Sequence, residues 1–319
     1  MKKTAVFFPG IGYTNDRSLL YYSRRIAEAK GYETIRIAYH DLPFGKKSDD
    51  DVMKKAYRMA REQALKQLKK AGIEKSDRVV FVSKSIGTTV AAWIAAKQGL
   101  SVQQIFFTPL EKTYKVLRPG EDALAFYGLR DPYTDRDRIF SLSRECGTVL
   151  LLFEGANHSL ETGDAARDAR TVSEIMELLE RVLGEDGRLT LRWTAAVWQT
   201  RRLLCRSDDV ARTLLRPCVD LWLETAEELE NASEDDLCKA AAVPLPQPEP
   251  FLAEHAAPPE GEEKRIAALL GQTKNELQGI GSEGERVRAV IRTVLAALLP
   301  EDEAAAGRGA DRLFTLLNG

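Results

Sequence analysis

The stretch RVVFVSKSIGTTVAAW, residues 78–93, combines a short apolar run, a turn of small residues and a helical pattern. The β-branched and aromatic residues that open it favour a buried strand, and TTVAAW at its end favours a helix. Ser83 and Gly87 lie two residues before and two residues after Ser85, and both are small enough for strand and helix to pass closely. The stretch therefore predicts a sharp strand–turn–helix unit that lifts the Ser85 hydroxyl above a sheet.

Similar apolar runs alternate with amphipathic stretches on both sides of this unit, up to about residue 185. Most of the runs are continuously apolar, as in parallel strands that helices cover on both faces. The sequence thus predicts an α/β fold with a doubly wound, mostly parallel six-stranded sheet. The predicted strands are Thr4–Phe8, Thr34–Tyr39, Arg78–Val82, Gln104–Phe107, Ala123–Tyr127 and Val149–Phe153, with helices at about residues 16–30, 50–71, 86–98, 135–145 and 161–183.

After residue 187 the strand pattern stops and apolar residues recur at helical spacing, which predicts an α-helical C-terminal region. Residues 243–261 are rich in proline and acidic residues, as in a linker. Helices are expected at about 262–278, 282–299 and 310–317. We therefore predict four segments: a sheet domain at 1–185, a helical region at 186–242, the linker at 243–261 and a helical tail at 262–319.

Composition indicates a soluble protein with no nucleic-acid partner. The 319 residues have a formal net charge of −2 and a pI of about 6.1, so no basic surface is expected. No apolar run is long enough for a membrane span, and the run after Lys2-Lys3 is too short for a signal peptide, so we expect a cytoplasmic protein. The cysteines, at 146, 205, 218 and 238, form no CxxC pair, so we expect neither a metal site nor disulfides.

Two residues that complete a catalytic triad with Ser85 follow later strands. Asp131 comes just after the strand at 123–127, and His158 lies in the loop after the strand at 149–153. The carboxyl ends of parallel strands meet at one edge of the sheet, where ligands bind. The chain order Ser, Asp, His predicts Ser85 as nucleophile, His158 as general base and Asp131 as the group that orients the imidazole.

An oxyanion formed during such a reaction needs backbone N–H donors. The residue after the nucleophile, Ile86, is one candidate, because it begins a helix. The glycine-containing loop after the first strand offers the N–H of Ile11, with Gly12 next. No glycine-rich phosphate-binding motif is present, and we expect no cofactor.

Three motifs together resemble the small, cap-less bacterial α/β hydrolases, distantly similar to dienelactone-hydrolase-like enzymes. They are FPGIGY at residues 8–13, SKSIG at 83–87 and GANHSLE at 155–161; the first position of SKSIG is serine instead of the glycine of G-x-S-x-G. The resemblance covers residues 1–185 and implies serine-hydrolase chemistry on an ester or related acyl bond, through an acyl-enzyme intermediate. Residues 186–319 carry no resemblance.

Residues 108–122, where larger relatives insert a lid, are too few to form one, so we expect an open site for a small-molecule acyl substrate. Tyr13, Phe44 and Tyr133 lie on loops at the same edge and are candidate pocket residues. We expect Lys84 to be exposed and Glu161 to cap a helix that starts near residue 159.

The leading hypothesis is a serine carboxylester hydrolase, and two alternatives stay open. The same triad supports an acyltransferase if an alcohol or thiol acceptor outcompetes water. The other alternative is that the sheet domain is a catalytically idle scaffold and the helical tail binds a partner. It stays open because a fold alone does not dictate function. Three alternatives stay open for the tail: a lid over the site, a dimer interface or a separate helical bundle. Its apolar stripes must be buried, so a homo-oligomer or a protein partner through the tail is also considered.

Overall fold

The computed structural model describes residues 2–43, 50–183, 188–204, 206–243, 245, 261–299 and 303–318. The chain divides into two compact units, Met1–Leu183 and Gly184–Gly319. The first unit contains the sheet, and the second is helical in all its described elements.

Six strands form one sheet in the order β2-β1-β3-β4-β5-β6, and all five pairings are parallel. The order reverses between β1 and β3, because the chain first extends the sheet to one side and then to the other. The predicted doubly wound, mostly parallel six-stranded sheet is confirmed. The strands are β1 (Lys3–Phe8), β2 (Glu33–Arg36), β3 (Arg78–Lys84), β4 (Gln103–Phe107), β5 (Ala123–Gly128) and β6 (Val149–Phe153).

Helices cover this sheet in two groups. The first and last helices pack against each other, and the four helices between them pack in succession. A short helix in residues 108–122 was not expected from the sequence, because four residues are too few for a periodic pattern. The helices are α1 (Ser18–Ala29), α2 (Asp50–Ala71), α3 (Ile86–Gln98), α4 (Glu111–Tyr114), α5 (Arg136–Cys146) and α6 (Ala165–Val182), with a 3₁₀ turn at Ile73–Lys75.

Two expectations for the last helix of the first unit were wrong: its start near residue 159 and its cap by Glu161. The helix α6 begins at Ala165 instead of near residue 159. Its N-cap is Asp164, whose carboxylate accepts a hydrogen bond from the Arg167 N–H at 3.0 Å. Glu161 lies three residues before Asp164, and its carbonyl accepts from the Asn157 N–H. Residues 159–164 therefore belong to the loop that carries His158.

The core depends on the alternation of side chains along the strands. Val6 and Phe8 of β1 and Phe81 of β3 point to one face, where they join buried residues of α2 and α3 in one apolar cluster. Phe8 and Phe81 make an edge-to-face contact with ring centroids 4.9 Å apart. Such contacts add to the free energy gained from burying the rings. This packing fixes β1 beside β3, where the loops of the site begin.

The second strand is shorter than the predicted Thr34–Tyr39. After Arg36, two glutamine side chains of α2 form hydrogen bonds with the backbone of Ala38 and His40, in place of a neighbouring strand. The side-chain amide of Gln67 bonds both the N–H and the carbonyl of Ala38, and that of Gln63 does the same for His40. Local β-propensity does not reveal this exchange, because the amides come from residues more than 20 positions away.

The described part of the second unit consists of six helices, which confirms the predicted helical C-terminal region. The helix α8 packs against α7, α10, α11 and α12, and α9 packs against α7 and α10. The last helix is longer than the expected 310–317. The helices are α7 (Arg188–Leu204), α8 (Asp208–Asn231), α9 (Glu234–Ala241), α10 (Glu262–Leu277), α11 (Glu283–Leu298) and α12 (Glu303–Asn318).

Polar contacts join helices from the two sides of the proline-rich stretch. Arg286 of α11 pairs with Glu230 of α8 through two hydrogen bonds of 2.9 and 2.6 Å, and the ammonium of Lys274 donates to the carbonyl of Ala232. Nearly all of residues 243–261, the predicted linker, lie outside the described residues. Across the described ranges, every helix is too short or too polar to cross a lipid bilayer.

We predict that Gly87→Ala destabilises the first unit. A Cβ at residue 87 would lie 2.4 Å from the Phe8 carbonyl oxygen and 2.6 Å from that of Pro9. Both obstacles are backbone atoms, so the helix α3 must shift, and we expect a loss of about 3 kcal/mol in the free energy of unfolding. Denaturant unfolding followed by circular dichroism measures the loss.

Gly271→Ala in α10 is the matched control, because no atom lies within 4 Å of the position that the added Cβ would occupy. Removing a glycine from a helix interior should raise the free energy of unfolding by about 0.5–1 kcal/mol. Equal stabilities of the two variants would contradict the close approach of α3 to β1.

Candidate active site

Ser85 lies on a strained turn between β3 and α3. Its backbone has φ 55° and ψ −123°, a conformation that residues with a side chain rarely adopt. The turn leaves no room beside it: a Cβ on Gly10 would lie 3.2 Å from the Ser85 Cβ. Glycine at residue 10 thus lets the loop after β1 approach Ser85, and glycine at residue 87 lets α3 approach the Phe8 and Pro9 carbonyls.

The serine at the first position of the SKSIG motif fits this turn. Ser83 is fully buried in β3 between β1 and β4, and its hydroxyl donates to the Ile105 carbonyl at 3.3 Å. A buried hydroxyl without a partner would be costly, so this bond explains why serine is tolerated where glycine is usual. The departure from G-x-S-x-G leaves the geometry of Ser85 intact.

The structure brings Ser85, His158 and Asp131 together in one hydrogen-bonded relay. His158 Nε2 lies 2.8 Å from Ser85 Oγ, and His158 Nδ1 lies 2.6 Å from Asp131 Oδ2. An ionised carboxylate only accepts hydrogen bonds, so the proton belongs on Nδ1. Nε2 is then left to accept the Ser85 hydroxyl proton.

The loops that carry Asp131 and His158 hold each other in place. The Arg130 N–H donates to the Ala156 carbonyl at 2.9 Å. A Cβ on Gly128 would lie within 2.5 Å of the Ala156 and Asn157 carbonyl oxygens, so only glycine permits this packing. The Asn157 side chain also closes the His158 loop, because its oxygen accepts from two backbone N–H groups of residues 159 and 161. Neither Gly128 nor Asn157 was predicted as a site residue, because their contacts are with loop backbone that folds against them only in the tertiary structure.

All three relay residues are shielded from solvent. Ser85 is 8% exposed, Asp131 7% and His158 9%. The second oxygen of Asp131, Oδ1, accepts from the Tyr133 N–H at 2.9 Å. This second bond fixes the carboxylate plane and satisfies an oxygen that is shielded from water.

The predicted oxyanion donors lie on the loop after β1 and at the start of α3. Gly10 and Tyr13 form a small antiparallel bridge that encloses Ile11 and Gly12, and Gly12 has φ +73°. The N–H groups of Ile11 and Gly12 donate to no acceptor in the described part of the chain. Ile86 is the first residue of α3, where an N–H has no intrahelical partner.

The three candidate pocket residues differ in their surroundings. Tyr13 is buried, its hydroxyl accepts from the Leu19 N–H at 3.2 Å, and burial raises the pKa of its phenol. Tyr133 is half exposed, and its ring makes an edge contact with the His158 imidazole at 4.9 Å between centroids. Phe44 lies outside the described residues. Of the two described candidates, Tyr133 is the one whose ring contacts His158 and is also exposed to solvent.

The expected exposure of Lys84 was wrong. Its side chain is only 1% exposed, and its ammonium donates to Thr108 Oγ1 and to the His158 carbonyl, each at 2.6 Å. An adjacent pair of strands makes this possible, since Thr108 directly follows β4 and β4 lies beside β3. Local sequence gives no sign of these contacts, because lysine next to a turn is usually solvated.

Within the described ranges, no three histidine, cysteine, aspartate or glutamate side chains are grouped as metal ligands. The groups that the structure brings together at this edge of the sheet are the relay and the backbone N–H groups on the two segments beside Ser85.

No protein-family model and no curated protein matches the chain. The solved structures that are similar to part of this chain include the following two. An α/β serine hydrolase homologue from Coxiella burnetii is 17% identical, and the similarity covers 57% of this chain and 85% of that one, with a TM-score of 0.42. A protein described as a hydrolase of the α/β superfamily, from Xanthomonas campestris pv. campestris, is 19% identical over 56% of this chain and 99% of its own, also with a TM-score of 0.42.

The short contact between His158 and Asp131 predicts a proton NMR resonance far downfield of the amide region. A proton shared across 2.6 Å between an imidazole and a carboxylate is strongly deshielded and protected from exchange by burial. Asp131→Asn should abolish the resonance, whereas His40→Gln, at an exposed histidine, should preserve it. A spectrum without such a resonance at low temperature would contradict the geometry of the pair.

Proposed function

We propose that the protein is a serine hydrolase that cleaves an ester or a related acyl bond through an acyl-enzyme intermediate. The observation that carries the proposal is the relay of 2.8 and 2.6 Å contacts from Ser85 through His158 to Asp131. A serine hydroxyl is a weak nucleophile at neutral pH, and an adjacent imidazole of the correct tautomer is what activates it.

In the proposed acylation, Ser85 Oγ attacks the acyl carbon as His158 Nε2 takes its proton. The carbon–leaving-group bond then breaks, and the proton passes from Nε2 to the leaving alcohol. Asp131 stabilises the imidazolium that exists between these two events. The N–H groups of Ile86 and of Ile11 or Gly12 are the proposed donors to the oxyanion, since they lie on the two segments that flank Ser85.

We further propose that the chain belongs with the small α/β hydrolases that have no cap, of the dienelactone-hydrolase-like type. Only the four-residue helix α4 lies between β4 and β5, where larger relatives insert a lid. We also propose that the chain consists of a hydrolase domain at 1–185, a helical region at 186–242, a linker at 243–261 and a helical tail at 262–319.

Reaction with a fluorophosphonate probe tests the nucleophile. The wild-type protein should be labelled on Ser85, as located by mass mapping, because the probe reacts with activated serines. Ser85→Ala should not be labelled, and Asp131→Asn should be labelled roughly 10⁴-fold more slowly, since asparagine no longer holds the imidazole in the tautomer that leaves Nε2 able to accept a proton.

Ser83→Ala is the matched control for this experiment, because it removes a hydroxyl two residues away that points to the Ile105 carbonyl. It should be labelled on Ser85 like the wild type, with a loss of about 1 kcal/mol in the free energy of unfolding. A correctly folded wild-type protein that resists labelling would refute the hydrolase and favour an idle scaffold.

Acyl transfer is the second candidate function, favoured by the shielding of Ser85 and His158 from solvent. Transfer competes with hydrolysis when the site limits the access of water. With p-nitrophenyl acetate as the acyl donor and increasing glycerol as the acceptor, we expect acetate as the main product. A predominance of acetylglycerol at low acceptor concentration would show a transferase instead.

A further inference from the structure

The side chain of Lys84 links the turn of Ser85 to the loop of His158. Lys84 is joined to Ser85 by a peptide bond, and its ammonium lies 2.6 Å from the His158 carbonyl oxygen. The imidazole of the same histidine lies 2.8 Å from Ser85 Oγ. Two connections therefore join the turn to the histidine: one through the reacting atoms and one through Lys84.

Thr108 completes this second connection. Its hydroxyl accepts from the Lys84 ammonium at 2.6 Å and donates to the His158 carbonyl at 2.9 Å, so the three groups form a closed triangle. Thr108 has φ 44°, and its N–H donates to the Phe126 carbonyl at 2.8 Å. A β-branched residue at positive φ is strained, and the contacts on both its backbone and its hydroxyl keep it there.

The ammonium also contacts the loop after β1. It lies 5.1 Å from the centroid of the Tyr13 ring, within the range of a cation–π contact. The Tyr13 backbone closes the bridge with Gly10 that encloses the proposed oxyanion donors. One buried cation thus touches the segments that carry the base and the oxyanion donors, while its own backbone leads into the nucleophile.

A buried ammonium has a high desolvation cost, which charge-assisted hydrogen bonds and a ring face only partly offset. A methionine or leucine at position 84 would avoid this cost. We infer that Lys84 is a positioning residue, which, given the proposed hydrolase function, holds His158 in place during the second half of the reaction.

Deacylation, the second half of the reaction, depends more than acylation does on the contacts of Lys84 and Thr108 with the His158 carbonyl. In the resting protein, the Ser85 hydroxyl donates to Nε2 and helps to hold the imidazole. In the acyl-enzyme, Oγ is esterified and has no proton to donate, so that bond is lost. Lys84 and Thr108 still hold the His158 backbone, and Asp131 still holds Nδ1.

The imidazole must then activate a water molecule. Nε2 takes a proton from the water as its oxygen bonds to the acyl carbon, the bond from that carbon to Ser85 Oγ breaks, and the proton passes from Nε2 to Oγ. Since a small misplacement of a catalytic group costs a large factor in rate, loss of the Lys84 contacts should slow deacylation more than acylation.

The test is burst kinetics with p-nitrophenyl acetate on the full chain, with the variants Lys84→Met and Lys97→Met. Methionine keeps most of the length and apolar volume of lysine and removes its N–H donors. Lys97 is an exposed lysine near the end of α3 and serves as the matched control. The rates of acylation and deacylation and the midpoint of thermal unfolding are measured for each protein.

For Lys84→Met we expect deacylation to slow on the order of 10- to 100-fold and acylation to change much less. Both kcat and KM then fall, and a burst of one p-nitrophenol per protein becomes visible. Lys97→Met should behave as the wild type. Equal slowing of both steps, or no change in either, would overturn the role of Lys84.

Thr108 provides a second pair of variants if Lys84→Met does not fold. Thr108→Val removes the hydroxyl at nearly constant shape and should slow deacylation in the same selective way. Thr108→Ser keeps the hydroxyl and should deacylate at the wild-type rate. If Thr108→Val does not slow deacylation more than acylation, the inference is overturned. Failure of the wild-type protein to react at Ser85 would instead refute the hydrolase function, and the role of Lys84 with it.

Discussion

The backbone of Ser85, at φ 55°, is the constraint on which the rest of the first unit depends. A residue with a side chain reaches this conformation only where its surroundings compensate for a cost of about 1–3 kcal/mol. Here β3 is held between two parallel neighbours, and α3 starts so close to β1 that Gly87 touches the Phe8 and Pro9 carbonyls. The packing of the whole sheet thus maintains the strain and places the Ser85 hydroxyl at the carboxyl ends of the strands.

Parallel strands explain why three distant residues meet at that edge. Ser85, Asp131 and His158 follow β3, β5 and β6, and in a parallel sheet all carboxyl ends lie on the same side. The loops after β5 and β6 are additionally locked through the close packing of Gly128 on the Ala156 carbonyl. The locked loops hold the Asp131 and His158 side chains in fixed positions, which a catalytic relay needs because a displacement of about 1 Å costs a large factor in rate.

Below the relay, polar groups that are cut off from water satisfy one another. Lys84, Thr108 and the His158 carbonyl form one closed group of this kind, whereas the exposed Asn157 side chain bonds the backbone of the His158 loop at the surface. Buried polar networks are stabilising only when all members have partners, and they then specify one arrangement. The loops of this site are therefore held by hydrogen bonds as much as by apolar packing.

The sequence by itself determined the α/β class, five of the six strands to within two residues at each end, and the helical C-terminal region. These features follow from local periodicity and from turn residues such as Gly87. The candidate relay was also predictable, because strand order in a parallel sheet translates directly into position. Only the tertiary structure decided the burial of Lys84, the early end of β2 at Arg36 and the start of α6 after Asp164. Each of these depends on partners that are distant in the chain or on one specific cap, and neither leaves a periodic signal in the sequence.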